Sequence, residues 1–160
     1  MNKLKLLKIV LFSILGSMIS VVLFFIIIIL GGVPYHNLNL YLTSRGFNKI
    51  HNPIETRSLK KYAEIEHYGN SNLCDYMIGE FRQSFISREN IKKNYASTSV
   101  VNFDMKKLPI EIYFLDEDIF QYEPMSHWLQ DSGIATSSKD VYLVYIEALS
   151  YPPTNDYRCH

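Results

Sequence analysis

The sequence lacks the short motifs that identify many enzymes and nucleotide-binding proteins. Its 160 residues contain no G-x-S-x-G, H-E-x-x-H, G-x-G-x-x-G or P-loop pattern. The five histidines are dispersed without the spacing of metal ligands. No internal repeat or low-complexity tract is visible. These absences predict no catalytic residues, no cofactor and no metal site, and they favour a protein that acts by binding.

Charge is also missing from one long segment near the amino terminus. No charged residue lies between Ile9 and Leu30. At about 1.5 Å per residue these residues form a helix roughly 33 Å long, enough to cross a hydrocarbon core of about 30 Å. A cleaved signal peptide would have an apolar region of about 7–15 residues and a small-x-small cleavage site. This segment is longer and ends in L-G-G-V-P-Y-H, so we expect a retained transmembrane helix in contact with lipid.

The placement of the lysines predicts the orientation of this helix. Lys3, Lys5 and Lys8 precede the segment, and the first basic residue after it is Arg45. The positive-inside rule then keeps the amino terminus in the cytoplasm and exports the rest. The expected location is the cell inner membrane, with the carboxy-terminal domain periplasmic or extracellular. The resulting division is a cytoplasmic tail at 1–8, a transmembrane helix at 9–30, a juxtamembrane connector at 31–57 and an exported domain at 58–160.

Cysteine is scarce, and both cysteines, Cys74 and Cys159, lie on the exported side. Exported compartments oxidise thiols, which favours one disulfide between them. This disulfide would close a loop of more than 80 residues. In the chain-entropy model such a closure contributes about 4.5 kcal/mol to the free energy of unfolding, less any strain. The alternative is a thiol nucleophile or a metal ligand at Cys159-His160, but no C-x-x-C or H-x-x-x-H motif accompanies it.

Basic and acidic residues are unevenly distributed along the exported part. Residues 33–109 hold 11 basic and 7 acidic side chains, a net of +4, and residues 110–160 hold 2 basic and 9 acidic ones, a net of −7. An exported part that is acidic overall has no electrostatic reason to bind nucleic acid. The acidic half would attract a basic protein partner, unless its charges are scattered and partly neutralised by the basic half.

Periodicity and capping residues predict an α+β domain with a mainly antiparallel sheet and two or three helices on one face. The connector fits either a strand or a short helix. The helices are expected over 70–85, where Leu73, Met77, Phe81 and Phe85 repeat every four residues, after Ser87, and between Pro124 and Gly133. The strands are expected around 99–103, 110–115 and 140–148, and also around 62–68, where a helix with Leu59, Tyr62 and Ile65 on one face is the alternative.

Three consecutive acids, Asp116, Glu117 and Asp118, follow the strand predicted at 110–115. Adjacent residues on an extended chain point to opposite sides, and the D-x-D-x-D-G pattern of a calcium loop is absent. The acids therefore favour an exposed turn over a metal site. Trp128, with the neighbouring Tyr122, is either a contact patch or part of the core.

The favoured function is a membrane-tethered protein that binds another protein without catalysis, for instance an immunity-type inhibitor of a basic toxin. One alternative is a structural or assembly subunit of a cell-envelope complex, and another is an envelope-acting hydrolase. The expected partner-binding residues are Asp116, Glu117, Asp118, Tyr122, Glu123 and Trp128.

Overall fold

The computed structural model describes residues 3–66, 74–116, 120, 124–150 and 156–159. Within them the fold is α+β with a mainly antiparallel sheet, as predicted. The helices are α1 (Lys3–Leu30), α2 (Gly32–Phe47), α3 (Arg88–Tyr95) and α4 (Met125–Ser132), and Tyr157–Cys159 form a short 3-10 turn. The strands are β1 (Thr56–Glu66), β2 (Cys74–Ser84), β3 (Ser99–Val101), β4 (Lys107–Pro109), β5 (Glu111–Phe114) and β6 (Val141–Ser150).

Helix α1 contains the charge-free segment. Its stretch Lys8–Ile27 has a mean hydropathy of 2.8 and none of it is buried against the rest of the chain. Length and composition make it a candidate membrane span. Because apolar side chains cover the helix on all sides, it lacks the polar face that a surface helix of a soluble protein presents to water.

Helix α2 follows α1 after a single residue, Gly31, and occupies most of the expected connector. The sequence left a strand and a helix open here, and the structure shows a helix of 16 residues. Its buried residues recur at helical spacing and pack towards the sheet: Gly32, His36, Asn39, Thr43 and Phe47. This segment is therefore packed on the domain rather than extended away from it.

The main sheet has four antiparallel strands in the order β1-β2-β6-β5. Strands β3 and β4 form a separate hairpin. Strand β6, which is late in the sequence, lies between β2 and β5, where Ile78 pairs with Ile146 and Phe114 with Tyr142.

The helix predicted over 70–85 is wrong for its described part, because residues 74–84 form the central strand β2. Positions four apart also lie on one face of a strand, as Met77 and Phe81 do. Tyr76 and Ile78 fill the other face, and both sets are buried. A strand covered on both faces has a nearly continuous apolar sequence, which periodicity alone does not distinguish from a buried helix.

Helices cover both faces of the sheet, not one as expected. The face that we call the α2 face packs against α2, α3 and the β3–β4 hairpin, through residues such as Phe47 and Ile91. The opposite face, the α4 face, packs against α4 around Trp128 and Leu129.

The predicted ends of α3 and α4 are mostly correct. Ser87 caps α3, where its side-chain oxygen accepts a hydrogen bond from the Asn90 amide at 3.4 Å. Gly133 ends α4 with φ of 67°, a left-handed conformation that glycine adopts without strain. Pro124 is the residue before α4 rather than its first helical residue.

Candidate functional site

Four carboxylates share the α4 face near the end of the sheet where β2 begins. Strand register places them there, because residues paired across neighbouring strands point to the same side. Glu64 and Glu147 both pair with the buried Met77, and Glu111 pairs with Tyr145. Asp75 lies two residues before Met77 and so points to the same face. We call this set of residues the acidic patch: Glu64, Asp75, Glu111 and Glu147.

Glu147 shows the electrostatic consequence of this crowding. Partial burial raises the pKa of its carboxyl, and the neighbouring charges of Asp75 and Glu111 raise it further. The hydroxyl of Tyr145 donates a hydrogen bond to Glu147 Oε2 at 3.2 Å and opposes that rise. The patch therefore carries like charges whose repulsion a bound cation would relieve.

Two tyrosines lie beside these carboxylates and donate hydrogen bonds to them. The rings of Tyr113 and Tyr145 lie 6.2 Å apart, and the Tyr113 hydroxyl donates a hydrogen bond to Glu111. Burial raises the pKa of Tyr145, and the charges of Glu147 and Glu111 raise it further. The hydroxyl of Tyr145 therefore stays protonated and remains a donor to Glu147 at neutral pH.

Trp128 is completely buried, so it belongs to the core, the alternative that the sequence left open. Its ring stacks on Tyr62 with centroids 5.1 Å apart and lies against Gly79. Its indole N–H donates to Glu64 Oε2 at 2.7 Å. Trp128 offers no exposed surface to a partner, but it fixes one carboxylate of the acidic patch.

Asp116, the first of the three consecutive acids, is exposed and forms an ion pair with Arg88 at 2.9 Å. The hydrogen bond from Arg88 is the main cause that lowers the Asp116 pKa. The Arg88 guanidinium also lies 4.4 Å from the ring centroid of Phe114. Asp116 follows the end of β5, whereas Glu111 begins it, so roughly 17 Å of strand separates Asp116 from the acidic patch.

The remaining predicted partner-binding residues lie outside the described residues. The structure therefore places two of the six, Asp116 and Trp128, and shows them on the surface and in the core respectively. The other four are Glu117, Asp118, Tyr122 and Glu123.

The predicted disulfide joins Cys74 to Cys159, with Cα atoms 4.8 Å apart. His36 and Asp156 lie beside it, and the potential ligand atoms of all four residues are within 4.8 Å of one another. With both sulfurs in the disulfide, two ligands remain, whereas a structural zinc site takes four. His36 contacts the Tyr76 hydroxyl instead. This cluster therefore links α2, β2 and the 3-10 turn.

A second buried polar cluster lies on the α2 face and was not predicted. Glu80 and Arg82 form an ion pair in which both side chains are 2% exposed. Arg82 also donates to the Tyr95 hydroxyl at 2.5 Å, and Lys61 lies 3.7 Å from Glu80. Glu80 and Arg82 are two residues apart, so they lie on the same face of a strand. Their opposite charges therefore predict the ion pair once β2 is known to be a strand.

In the acidic patch, Glu111 and Glu147 are exposed, Glu64 is partly buried and Asp75 is buried. Protein-family models, curated proteins and solved structures were compared with the chain, and none of the three comparisons gave a match.

Proposed function

We propose that the chain is a membrane-anchored protein whose exported domain binds a basic protein through the acidic patch, without catalysis. The observation that carries the proposal is the strand register that places Glu111 and Glu147 on one face of the sheet beside Asp75, and the raised pKa of Glu147 is consistent with this placement. Carboxylates held near one another repel, and a lysine or arginine side chain placed among them removes that repulsion. A patch of one sign also speeds the association of a partner of opposite sign.

A protein partner suits this surface better than a small cation. The carboxylates of Glu111 and Glu147 are exposed on an open sheet face, and the half-buried Tyr113 lies beside them. Tyrosine is enriched at protein interfaces, where its ring supplies contact area and its hydroxyl a hydrogen bond. Arginine pairs with carboxylates through two parallel hydrogen bonds, which adds geometric specificity.

Among binding proteins we favour an immunity-type inhibitor that covers a basic surface of a toxin at the cell envelope. The supporting features are the candidate span in α1, the lysines before it and the disulfide between Cys74 and Cys159, which suits an exported domain. In this proposal α1 lies in the inner membrane, and the domain lies in the periplasm or outside the cell.

Photo-crosslinking from the patch tests the proposal. A benzophenone amino acid replaces Tyr113 in the full-length chain, and adducts are quantified in intact cells. We expect one specific adduct that falls about tenfold in the Glu111→Gln/Glu147→Gln variant, because losing close charge pairs worth about 1.4 kcal/mol changes affinity by that factor. High ionic strength should weaken the adduct in isolated membranes.

The matched control is Glu55→Gln/Glu89→Gln, which removes the same number of negative charges from residues outside the patch. This variant should keep the adduct. Equal loss in both double variants, or no change in either, would contradict a role for the patch.

Exchange of the span separates this proposal from the assembly-subunit alternative. A tethered binding protein should keep its adduct when residues 9–30 are replaced by an unrelated transmembrane sequence. A subunit whose span makes specific helix contacts should lose its function after the same replacement.

A further inference from the structure

The turn between β3 and β4 is tightly held and presents apolar side chains to solvent. The Asn102 amide donates to the Lys106 carbonyl at 3.0 Å, and the Lys106 amide donates to Asn102 Oδ1 at 2.8 Å. Between these residues, Phe103 is 42% exposed and Met105 is 80% exposed. The hydrogen bonds fix the backbone of the turn, and this backbone directs both side chains into solvent.

The turn lies beside the residues that directly follow the candidate span. The rings of Tyr35 and Phe103 meet edge to face with centroids 5.7 Å apart, and the Tyr35 hydroxyl donates to Asp104 Oδ1 at 3.1 Å. Tyr35 is five residues after Leu30, the last residue of α1. Five helical residues rise about 7.5 Å, which is the depth of the headgroup layer outside the hydrocarbon core.

The backbone of Met105 adds an independent observation. Its φ is 61°, in the left-handed region where glycine or asparagine is the usual residue. Three-residue hairpin loops commonly end in this conformation, and glycine would satisfy it without strain. A long apolar side chain in this position gains nothing from the core of the domain, because it is directed into solvent.

Two lysines, Lys106 and Lys107, follow Met105 directly and are exposed. Apolar side chains at the tip of a turn with lysines behind them suit the boundary between water and lipid. Apolar groups enter the acyl boundary there, aromatic rings lie at the headgroup level, and lysines reach the phosphates.

We propose that the turn at 102–106 is a second membrane contact, which inserts Phe103 and Met105 into the surface of the bilayer that α1 spans. Lys106 and Lys107 lie at the lipid phosphates, and Tyr35 connects the turn to the base of α2. The proposal rests on the membrane anchor in the proposed function but not on any protein partner. With two contacts, the domain keeps a fixed orientation to the membrane.

Depth-dependent fluorescence quenching tests this contact. The full-length Met105→Trp variant is reconstituted into vesicles of phosphatidylcholine and phosphatidylglycerol, with and without bromine on the acyl chains, and the signal of the wild-type chain with its Trp128 is subtracted. The matched control is Phe85→Trp. Phe85 is 75% exposed and directly follows β2, about 36 Å along the strand from Cys74.

We expect brominated lipid to quench the added indole of Met105→Trp several-fold more than that of Phe85→Trp, with emission at shorter wavelength from the former. A second variant, Phe103→Ser in the Met105→Trp chain, should reduce the quenching. Equal quenching of the two added indoles in chains that float with the vesicles would overturn the hairpin contact and leave the anchor intact. Chains that do not float would overturn both.

Discussion

The α2 face of the sheet encloses an ion pair, whereas the α4 face leaves two carboxylates exposed near the end where β2 begins. On the α2 face, Glu80 and Arg82 are paired and buried together with Tyr95. On the α4 face the packing is aromatic around Trp128, and the carboxylates of Glu111 and Glu147 remain in solvent. One sheet thus carries a buried, matched ion pair on its α2 face and two exposed carboxylates near one end of its α4 face.

Charged residues on the two faces therefore differ in how they affect the stability of the fold. Removing one member of a buried, matched pair leaves the other without compensation, so the native state is penalised. Removing one of several like charges at a surface relieves repulsion, so the native state loses nothing from that change. Substitutions of Arg82 on one face and Glu147 on the other should therefore act in opposite directions on stability.

The largest effect is expected from Arg82→Met. It leaves Glu80 buried with the exposed Lys61 amino group 3.7 Å away, and removal of one partner from a buried pair costs about 3–5 kcal/mol. Urea unfolding of the full-length chain in detergent micelles, followed by Trp128 fluorescence, measures the loss. Adding Glu80→Gln should recover part of it, and a loss below about 1 kcal/mol in Arg82→Met would show that the pair is unimportant.

The Cys74→Ser/Cys159→Ser variant should have the next largest effect. The disulfide closes a loop with a sequence separation of 85 residues and joins β2 to the 3-10 turn on the α2 face. Its loss should lower the free energy of unfolding by about 2–4 kcal/mol. A reductant should destabilise the wild-type chain to the level of the variant and leave the variant unchanged; a variant that responds equally would contradict the assignment.

Gly79→Ala tests the aromatic packing of the α4 face. A Cβ atom at this position would lie 2.5 Å from Cζ3 of Trp128 and 3.1 Å from Cδ1 of Leu143. Overpacking of this kind costs about 1–3 kcal/mol. The cost of Gly79→Ala should be smaller in a chain that also carries Trp128→Phe. A double-mutant cycle measured by urea unfolding gives the coupling energy between the two positions, and a coupling energy of zero would show that the indole does not restrict position 79.

Glu147→Gln should have the smallest effect and the opposite sign. The pKa of Glu147 is raised in the folded chain, so the native state binds this proton more readily than the unfolded state and the wild-type chain gains stability as pH falls through the raised pKa. At neutral pH the variant should be more stable by less than about 1 kcal/mol. The melting temperatures of both chains, recorded from neutral pH down to the usual pKa range of glutamate, measure this difference in stability. A variant that is less stable than the wild-type chain at neutral pH would contradict repulsion among the carboxylates of the acidic patch.

Parts of the fold with local signals could be predicted from the sequence. Ser87 and Gly133 mark helix ends through short-range hydrogen bonding and backbone conformation, and both predictions are confirmed. The disulfide pairing followed from the count of two cysteines. These features depend on neighbouring residues or on simple arithmetic, so a single sequence contains them.

Features that depend on tertiary packing could not be predicted in the same way. The identity of β2 depends on cover from both sides, and its apolar residues at even spacing also match one face of a helix. The acidic patch draws on several strands, so Glu64, Glu111 and Glu147 become neighbours only through strand order. The sequence indicated an acidic carboxy-terminal half but selected Asp116, which the structure pairs with Arg88.

The strand order also determines when the sheet can form. Strand β6 follows the other strands of the main sheet in chain order, yet it lies between β2 and β5 and pairs with both. Before residues 141–150 leave the ribosome, β2 has an open edge and β5 has no partner in the main sheet. Until β6 is synthesised, the nascent domain therefore has only the β1–β2 pair of its main sheet. Assembly of the sheet is accordingly a late event in the life of the chain, completed after most of it has been translated.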